Sequence, residues 1–541
     1  MRDVDPYGVE PHGVDPDAAE VAGGGTGGAA GGGGAAGAGT TPGSATPGDA
    51  TPGDAGAGDV AAPGRLPETP EERDVREVVA EAEETVERAG EEVAAEARAE
   101  RAVAAQEEDR AERADRDELR RVAAELLQRN WTGTHTVPAS GLYPHQWSWD
   151  SAFIAVGLRH VAPERAQAEL ERLLAAQWAD GRVPQIVYDP AHPDDYEPGE
   201  SFWRSRSLPG APEVPTSGLV QPPNHAWAAL LVHKAAPQLS RERGFLERVY
   251  PRLVAWHRYL AARRDHRGAG LASVIHPWES GTDDSPLWDE ALAAVPVGPT
   301  TTARRPDLAH VRPGERPGER EYAQYYRLAE RYRDHGCDDD DPDHPFVLED
   351  PAFNALWAVS ELALAEMAEE LGRDPGPHRA RSARIAAALE HLYVPELGLY
   401  GAHDVFRDTL VRRVVVNGLV PLIVPGLDRA EQLVATVRGP GFLGGGALMV
   451  PSYDLRAADV DLARYWRGPA WFNMNWLLVV GLHEHLEGPL ADGLADQLML
   501  LARRHDFPEY VDPMTGEPHG ARDFSWTAAL ALDLAVAEPV R

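Results

Sequence analysis

Residues 278–289 read WESGTDDSPLWD and set Glu279, Asp283, Asp284 and Asp289 beside Trp278 and Trp288. A surface turn accounts for the glycine, the proline and one capping aspartate but has little use for two tryptophans. Carboxyl groups held against large rings suit another task. A carboxyl kept from water stays protonated toward neutral pH and can give its proton to a leaving oxygen. A second carboxyl group across a bound sugar, activating water or attacking the sugar, completes the pair that glycoside hydrolysis uses. The chemistry of the stretch leaves Asp283, Asp284 and Glu279 equally suited to the acid role. The partner should come from a distant segment, because one loop seldom spans both sides of a sugar. Residues 506–530, DFPEYVDPMTGEPHGARDFSWTAAL, offer Glu509, Asp512, Glu517 and Asp523, of which Glu509 and Glu517 both suit the base.

Two more segments carry the same mixture. LYPHQWSWDSAF holds Tyr143, Trp147, Trp149 and Asp150, and RYWRGPAWFNMNW holds Tyr465, Trp466, Arg467, Trp471 and Asn475. Sugar C–H faces stack on flat rings, and sugar hydroxyls need paired acceptors and donors in a concave site. One such tryptophan is ordinary core; three segments of this composition point to a carbohydrate pocket.

The elements that must position these residues are helical. From about residue 115 apolar residues recur at helical spacing, as in PAFNALWAVSELALAEMAEEL and PAWFNMNWLLVVGLHEHL, with prolines near helix starts and glycines near their ends. About a dozen helices separated by long loops are predicted, with few strands. The expectation is an all-α toroid whose loops build a pocket at one end. Upstream, residues 67–114 are rich in Ala, Glu and Arg with a thin apolar stripe, which predicts a long exposed acidic helix. Residues 1–66 are Gly, Ala, Pro and Thr-rich, with the repeat TPGSATPGDATPGDA, and bury too little to fold, so a disordered tail is expected. The domain division is thus 1–66, 67–114 and 115–541.

With 52 Lys+Arg against 87 Asp+Glu, the formal charge of −35 argues against a nucleic-acid partner. The single cysteine, Cys337, rules out an internal disulfide and a cysteine-based zinc site. No run of 18 apolar residues and no secretory start is present, so no membrane partner and a cytoplasmic location are expected. A homo-oligomer is compatible with this composition, as is a tail that docks an unknown protein. In HEHLE (483–487) the two histidines are two apart on a helix and face different ways, so a metal pair is not expected. CDDDDPDHP (337–345) lacks the glycine and terminal glutamate of a calcium loop and reads as a solvated acidic loop. No metal and no cofactor are expected.

YPHQWSWDSAF, HPWESGTDDSP, YWRGPAW and the terminal EYVDPMTGE…FSWTAAL, in that order, together resemble glycoside hydrolase family 63, in particular its bacterial glucosylglycerate and mannosylglycerate hydrolase branch. The resemblance spans about residues 140–530. It implies an (α/α)6 barrel that hydrolyses an α-glycoside with inversion and without metal. It assigns the general acid to Asp283 and the base to Glu509. It also implies sugar contacts from Tyr143, Trp147, Asp150, Gln221, Trp278, Gly281, Tyr465, Trp466 and Trp471. For the carboxylate of a glycerate aglycone it implies an Arg and a Tyr from one loop. Arg316 and Tyr322 fit, Arg320 and Tyr326 share their spacing, and Tyr196 is a weaker candidate nearby. The substrate so implied is a small anionic glycoside, α-glucosylglycerate or α-mannosylglycerate. GTDDSP stands where the family pattern would read GMDNSP, so Asp284 brings a second carboxyl beside the acid and is expected to raise the pKa of the pair. A trehalase-like α-glucosidase for a neutral disaccharide and a non-catalytic carbohydrate-binding protein are the competing readings.

Overall fold

The computed structural model describes residues 67, 69–193, 195–297, 305–309 and 311–536; the tail expected over 1–66 lies outside them. The chain divides into residues 1–92 and 93–541. In the first unit the described residues belong to the start of helix α1 (Pro70–Arg129), where Val75, Val78, Val79 and Val86 are exposed. Ala, Glu and Arg sustain this stretch by intrinsic propensity. The expected boundary at 114/115 falls inside α1, which runs on unbroken. Within the second unit its character changes with its side chains: Leu119, Ala123, Leu126 and Leu127 are buried.

Six elements of the second unit pack side by side in a closed ring. They are α2 (Ser148–Leu158), α3 (His225–Ala235), α4 (Pro351–Glu370), the 3₁₀ segment Val420–Ile423, α5 (Phe472–Glu484) and α6 (Ser525–Val536), which returns to α2. All are apolar on nearly every face, as inner elements with neighbours on both sides must be. Every residue of α2 is buried, as is α6 from Ser525 to Ala535. The closing contact is tight at Gly157, where an added Cβ would lie 2.4 Å from the Ala529 backbone. The outer layer is amphipathic: Pro163–Ala175, Phe245–Tyr259, Gly376–Leu389, Ala430–Val437 and Gly488–Arg504 each bury one stripe and expose the other. Inner and outer helices alternate along the chain, which is the (α/α)6 architecture.

The strands are very short. β1 (Gln146–Trp147) pairs antiparallel with β2 (Ile186–Val187), Trp147 facing Ile186. β3 (Ala470–Trp471), β4 (Tyr510–Val511) and β5 (Pro518–His519) form a sheet with β4 central, Tyr510 opposite both Trp471 and His519. Sequence periodicity cannot register two-residue pairs, and these segments read as loops. They nevertheless fix the backbone that carries Trp147, Trp471 and Glu509.

The acidic run 337–345 is not solvated throughout as expected. Asp339 is buried against Arg264 (3.0 Å) and accepts from Tyr259 (2.7 Å) and Tyr332 (2.7 Å). The reason is Arg264 itself, a buried cation that needs carboxylates on more than one side. Among the described residues no helix is long and apolar enough to cross a membrane.

Candidate active site

The opening stretch is a tightly folded loop in which three of the four carboxylates already have partners. Glu279 is buried and takes Arg264 through two contacts, at 2.6 and 2.8 Å, together with the amides of Val220 and Ile275. Asp284 is buried between Arg464 (2.8 Å) and Arg467 (3.2 Å), and Arg467 continues to Asp289 at 3.1 Å. Asp283 is the remaining one; its side chain is half-buried and lines a cleft. Its backbone carbonyl accepts from the Tyr325 hydroxyl at 2.9 Å, which fixes the turn without engaging the carboxyl. The two tryptophans divide the remaining work. Trp288 is fully buried and donates its indole N–H to the Thr282 carbonyl at 2.8 Å, while Trp278 faces the cleft.

Gly281 has φ +73°, and a Cβ there would fall 2.5 Å from the Trp149 ring. Both the backbone and the packing therefore require glycine. Gly281→Ala is expected to destabilise the fold by about 1–3 kcal/mol and to lower kcat/KM by displacing Asp283. Urea unfolding and steady-state kinetics read the two effects, and parent-like values in both would remove this account of the loop.

Burial pushes the Asp283 carboxyl up to about 7; Arg316 opposes this, and Asp284 and Glu509 add to it. The like-charge effect expected of Asp284 is present but secondary, because its own charge is matched by two guanidinium groups.

Glu509 immediately precedes β4 and is buried. Oε1 accepts from the Tyr143 hydroxyl at 3.0 Å; Oε2 accepts from Arg316 Nη2 at 2.8 Å and from the Ala521 amide at 2.9 Å. A carboxylate offers about four lone-pair directions, so this pattern orients the group and leaves one direction on Oε1 for a further donor such as water. Gly520 permits the approach, since a Cβ there would lie 2.4 Å from Oε2. The other acids of the segment point elsewhere. Asp512 caps its own turn at Met514 and Thr515, Asp523 pairs with Arg129, and Glu517 is exposed.

Aromatic rings form much of the wall of the cleft. Trp466 and Trp471 stack with centroids 3.9 Å apart, and Trp471 stacks on Tyr510 at 4.5 Å. Tyr465 sits at φ +31°, held there by its carbonyl accepting from Trp471 (2.9 Å) and its amide donating to Glu315 (3.1 Å). A non-glycine residue in that region of φ marks a backbone held by its surroundings, as functional sites often are. Its ring lies 4.2 Å from the Arg316 guanidinium, and Tyr143 lies on the same cation at 5.9 Å. Tyr196 meets Trp147 edge-on at 5.1 Å. Gln221 is fixed by accepting from the Trp149 amide at 3.2 Å. Burial pushes Asp150 well above the usual carboxyl range, and Glu509 and Asp283 push in the same direction. This suits a protonated carboxyl that can both give and accept hydrogen bonds with hydroxyls.

The family model for the mannosylglycerate hydrolase MGH1-like glycoside hydrolase domain matches residues 143–527, a span that contains Asp283, Glu509 and the aromatic residues of the cleft. The chain belongs to this family. It is a glycoside hydrolase. The mannosylglycerate hydrolase of Rubrobacter radiotolerans is 39% identical over 76% of this chain and 95% of that one. The glucosylglycerate hydrolase of Mycolicibacterium hassiacum is 35% identical over 76% of this chain and 96% of its own. The crystal structure of a GH63 mannosylglycerate hydrolase from Thermus thermophilus with Tris and D-glycerate is 37% identical, covers 77% of this chain and 99% of that one, and superposes with a TM-score of 0.72.

Asp283, Glu509 and the twelve ligand-contact candidates named from the family motifs all line the one cleft. Of the alternative clamp pair, Arg320 is exposed, and neither it nor Tyr326 is among the lining residues. The cleft also contains residues that sequence reasoning did not pick, including Gln185, Glu197, Asp307, Tyr325, Phe524 and Trp526. Trp526 and Phe524 stood in a motif already singled out and could have been found there. Gln185 lies in a segment whose composition carries no such signal, and Glu197 directly follows Tyr196, itself only a weaker candidate.

Proposed function

We propose that this chain hydrolyses the α-glycosidic bond of a hexosyl glycerate, with glucose or mannose as the hexose, by direct displacement with inversion. Asp283 is the general acid and Glu509 the general base. The observation that carries the reading is the division of carboxyl groups around the cleft. Among the described residues Asp283 alone of its loop's carboxylates has no cationic side chain bonded to it, and it is held partly protonated near neutrality. Glu509, from the opposite end of the chain, is oriented by three donors with one acceptor direction to spare.

The reaction follows from those two states. A water donates to the free lone pair of Glu509 Oε1 and attacks the anomeric carbon as its proton passes to that oxygen. The bond to the glycerate oxygen breaks on the other side while Asp283 gives up its proton, so the leaving group departs as an alcohol. Tyr143, Trp147, Asp150, Gln221, Trp278, Gly281, Tyr465, Trp466 and Trp471 surround the sugar; Arg316, Tyr322 and Tyr196 receive the glycerate. Arg316 supports the anionic aglycone as a buried cation on the lining of the cleft. A carboxylate reaching its guanidinium would make a charge-assisted bond there. The aglycone-side tyrosine is also braced, with the Tyr322 hydroxyl 3.3 Å from the Glu197 carbonyl and Arg305 stacked on its ring at 3.8 Å.

The test is a proton NMR time course with α-glucosylglycerate and, separately, α-mannosylglycerate. The β-anomer of the free hexose is expected first, before mutarotation. Early α-anomer would overturn inversion, and turnover of trehalose with neither glycerate substrate consumed would replace the reading by a neutral-disaccharide activity.

A further inference from the structure

Arg316 and Glu509 come from segments nearly two hundred residues apart, and Glu315, the neighbour of Arg316, does not line the cleft. Glu315 is 3% exposed. Its Oε1 accepts from His519 Nδ1 at 2.7 Å, and its Oε2 accepts from the amides of Arg312 (3.1 Å) and Gly520 (3.4 Å). Its backbone carbonyl accepts from the Tyr465 amide at 3.1 Å and from the Tyr510 hydroxyl at 3.3 Å. A buried carboxylate is costly unless it is compensated, and here the compensation is drawn from three segments at once. They are the segment that carries Arg316, the turn that carries Tyr465 and the β4–β5 hairpin that carries Glu509.

The connection is a cross-lock between two dipeptides. Glu315 binds the Gly520 amide while its neighbour Arg316 binds Glu509 Oε2; the same Oε2 accepts the amide of Ala521, the neighbour of Gly520. Shifting the Glu315 segment along the hairpin therefore moves the Arg316 guanidinium relative to the carboxylate it bonds. A second, open pocket is lined on one side by Arg312, Glu315, His519, Ala521 and Arg522.

We infer that Glu315 is a positioning residue, which through His519 and the Gly520 amide fixes the Arg316 guanidinium against Glu509 and thereby sets the distance from aglycone clamp to base. This rests on the reading of Arg316 as the contact to the substrate carboxylate, and the experiment separates the two. KM and kcat for the hexosyl glycerate turned over are measured in Glu315→Ala, Arg316→Ala, the double variant and Glu315→Gln, each with its melting temperature. Glu315→Ala is expected to raise KM about tenfold and to lower kcat by a smaller factor, because the Arg316 guanidinium it loosens is also one of the three donors that orient Glu509. Glu315→Gln keeps the acceptor for the two amides and a partner for His519, and is expected to restore most of the loss. In the Arg316→Ala background Glu315→Ala should add less than about twofold, because the residue through which it acts is gone.

Additive losses in the double variant would overturn the inference, since Glu315 would then act by another route. A raised KM in Arg316→Ala with none in Glu315→Ala would overturn it too and leave the clamp standing. An unchanged KM in Arg316→Ala would remove clamp and inference together. Should Glu315→Ala fail to fold, His519→Leu breaks the same link from the other side and carries the same expectations.

Discussion

Glu509→Gln is expected to fold as the parent does and to lose about a thousandfold or more in kcat, the upper part of the range for a positioned general base. The size of the carboxylate is kept, and the amide oxygen can take the place of Oε2 and accept from Arg316 and Ala521 as before. That choice is forced, because an amide N–H₂ against a guanidinium and a backbone N–H would set donor against donor. The N–H₂ must then stand at Oε1, where the one free acceptor direction had been. Tyr143 can reverse its bond and accept, so the fold loses little, but a water at that position meets a donor and has nowhere to send its proton. The measurement is single-turnover hydrolysis with the melting temperature as control. A variant that unfolds earlier and retains turnover would show that Glu509 is structural and that the base lies elsewhere.

Asp283→Asn is expected to cost about 10² to 10⁴ in kcat on the hexosyl glycerate, with a parent-like melting temperature. Among the described residues its carboxyl makes no ion pair, so neutralising it breaks none of those in its loop. What is lost is the proton for an alkoxide leaving group. A glycosyl fluoride of the same hexose leaves with little protonic help, so the variant should hydrolyse it within about tenfold of the parent; an equal loss on both substrates would refute the acid assignment.

The pH profile is a second reading of the same proton. Because burial holds the Asp283 carboxyl up to about 7, the proton is present below that pH and absent above it. The parent's kcat/KM should therefore fall as pH rises through about 7, toward tenfold per unit. In the variant that limb should be missing from fluoride hydrolysis. A parent profile flat to pH 9 would mean that the acid titrates elsewhere.

The sequence by itself determined the fold class. Helices apolar on every face and helices with one apolar stripe alternate along the chain, and only an inner and an outer layer satisfy both patterns at once. It also determined the aromatic and acidic motifs of the pocket, because few other sites need rings, amides and carboxyls in such density. The resemblance to family motifs implied Asp283 as acid and Glu509 as base, where local chemistry had left Asp283, Asp284 and Glu279 equal on one side and Glu509 and Glu517 on the other.

Tertiary structure decided what composition could not, because a carboxylate's role depends on what stands opposite it in space. Glu279 is tied by Arg264 from its own neighbourhood, but Asp284 is tied by Arg464 and Arg467 from 180 residues on. No pattern local to WESGTDDSPLWD announces those partners. The same holds for Asp339, drawn into the core by a buried arginine, and for Arg316, distinguished from Arg320 only by which of them reaches Glu509. The strands beside Trp147, Trp471 and Glu509 are two residues long, below what periodicity can register, and exist because their partners are brought alongside by the ring of helices. Local patterns fix which face of an element is buried; which charges meet is fixed only when the whole ring closes.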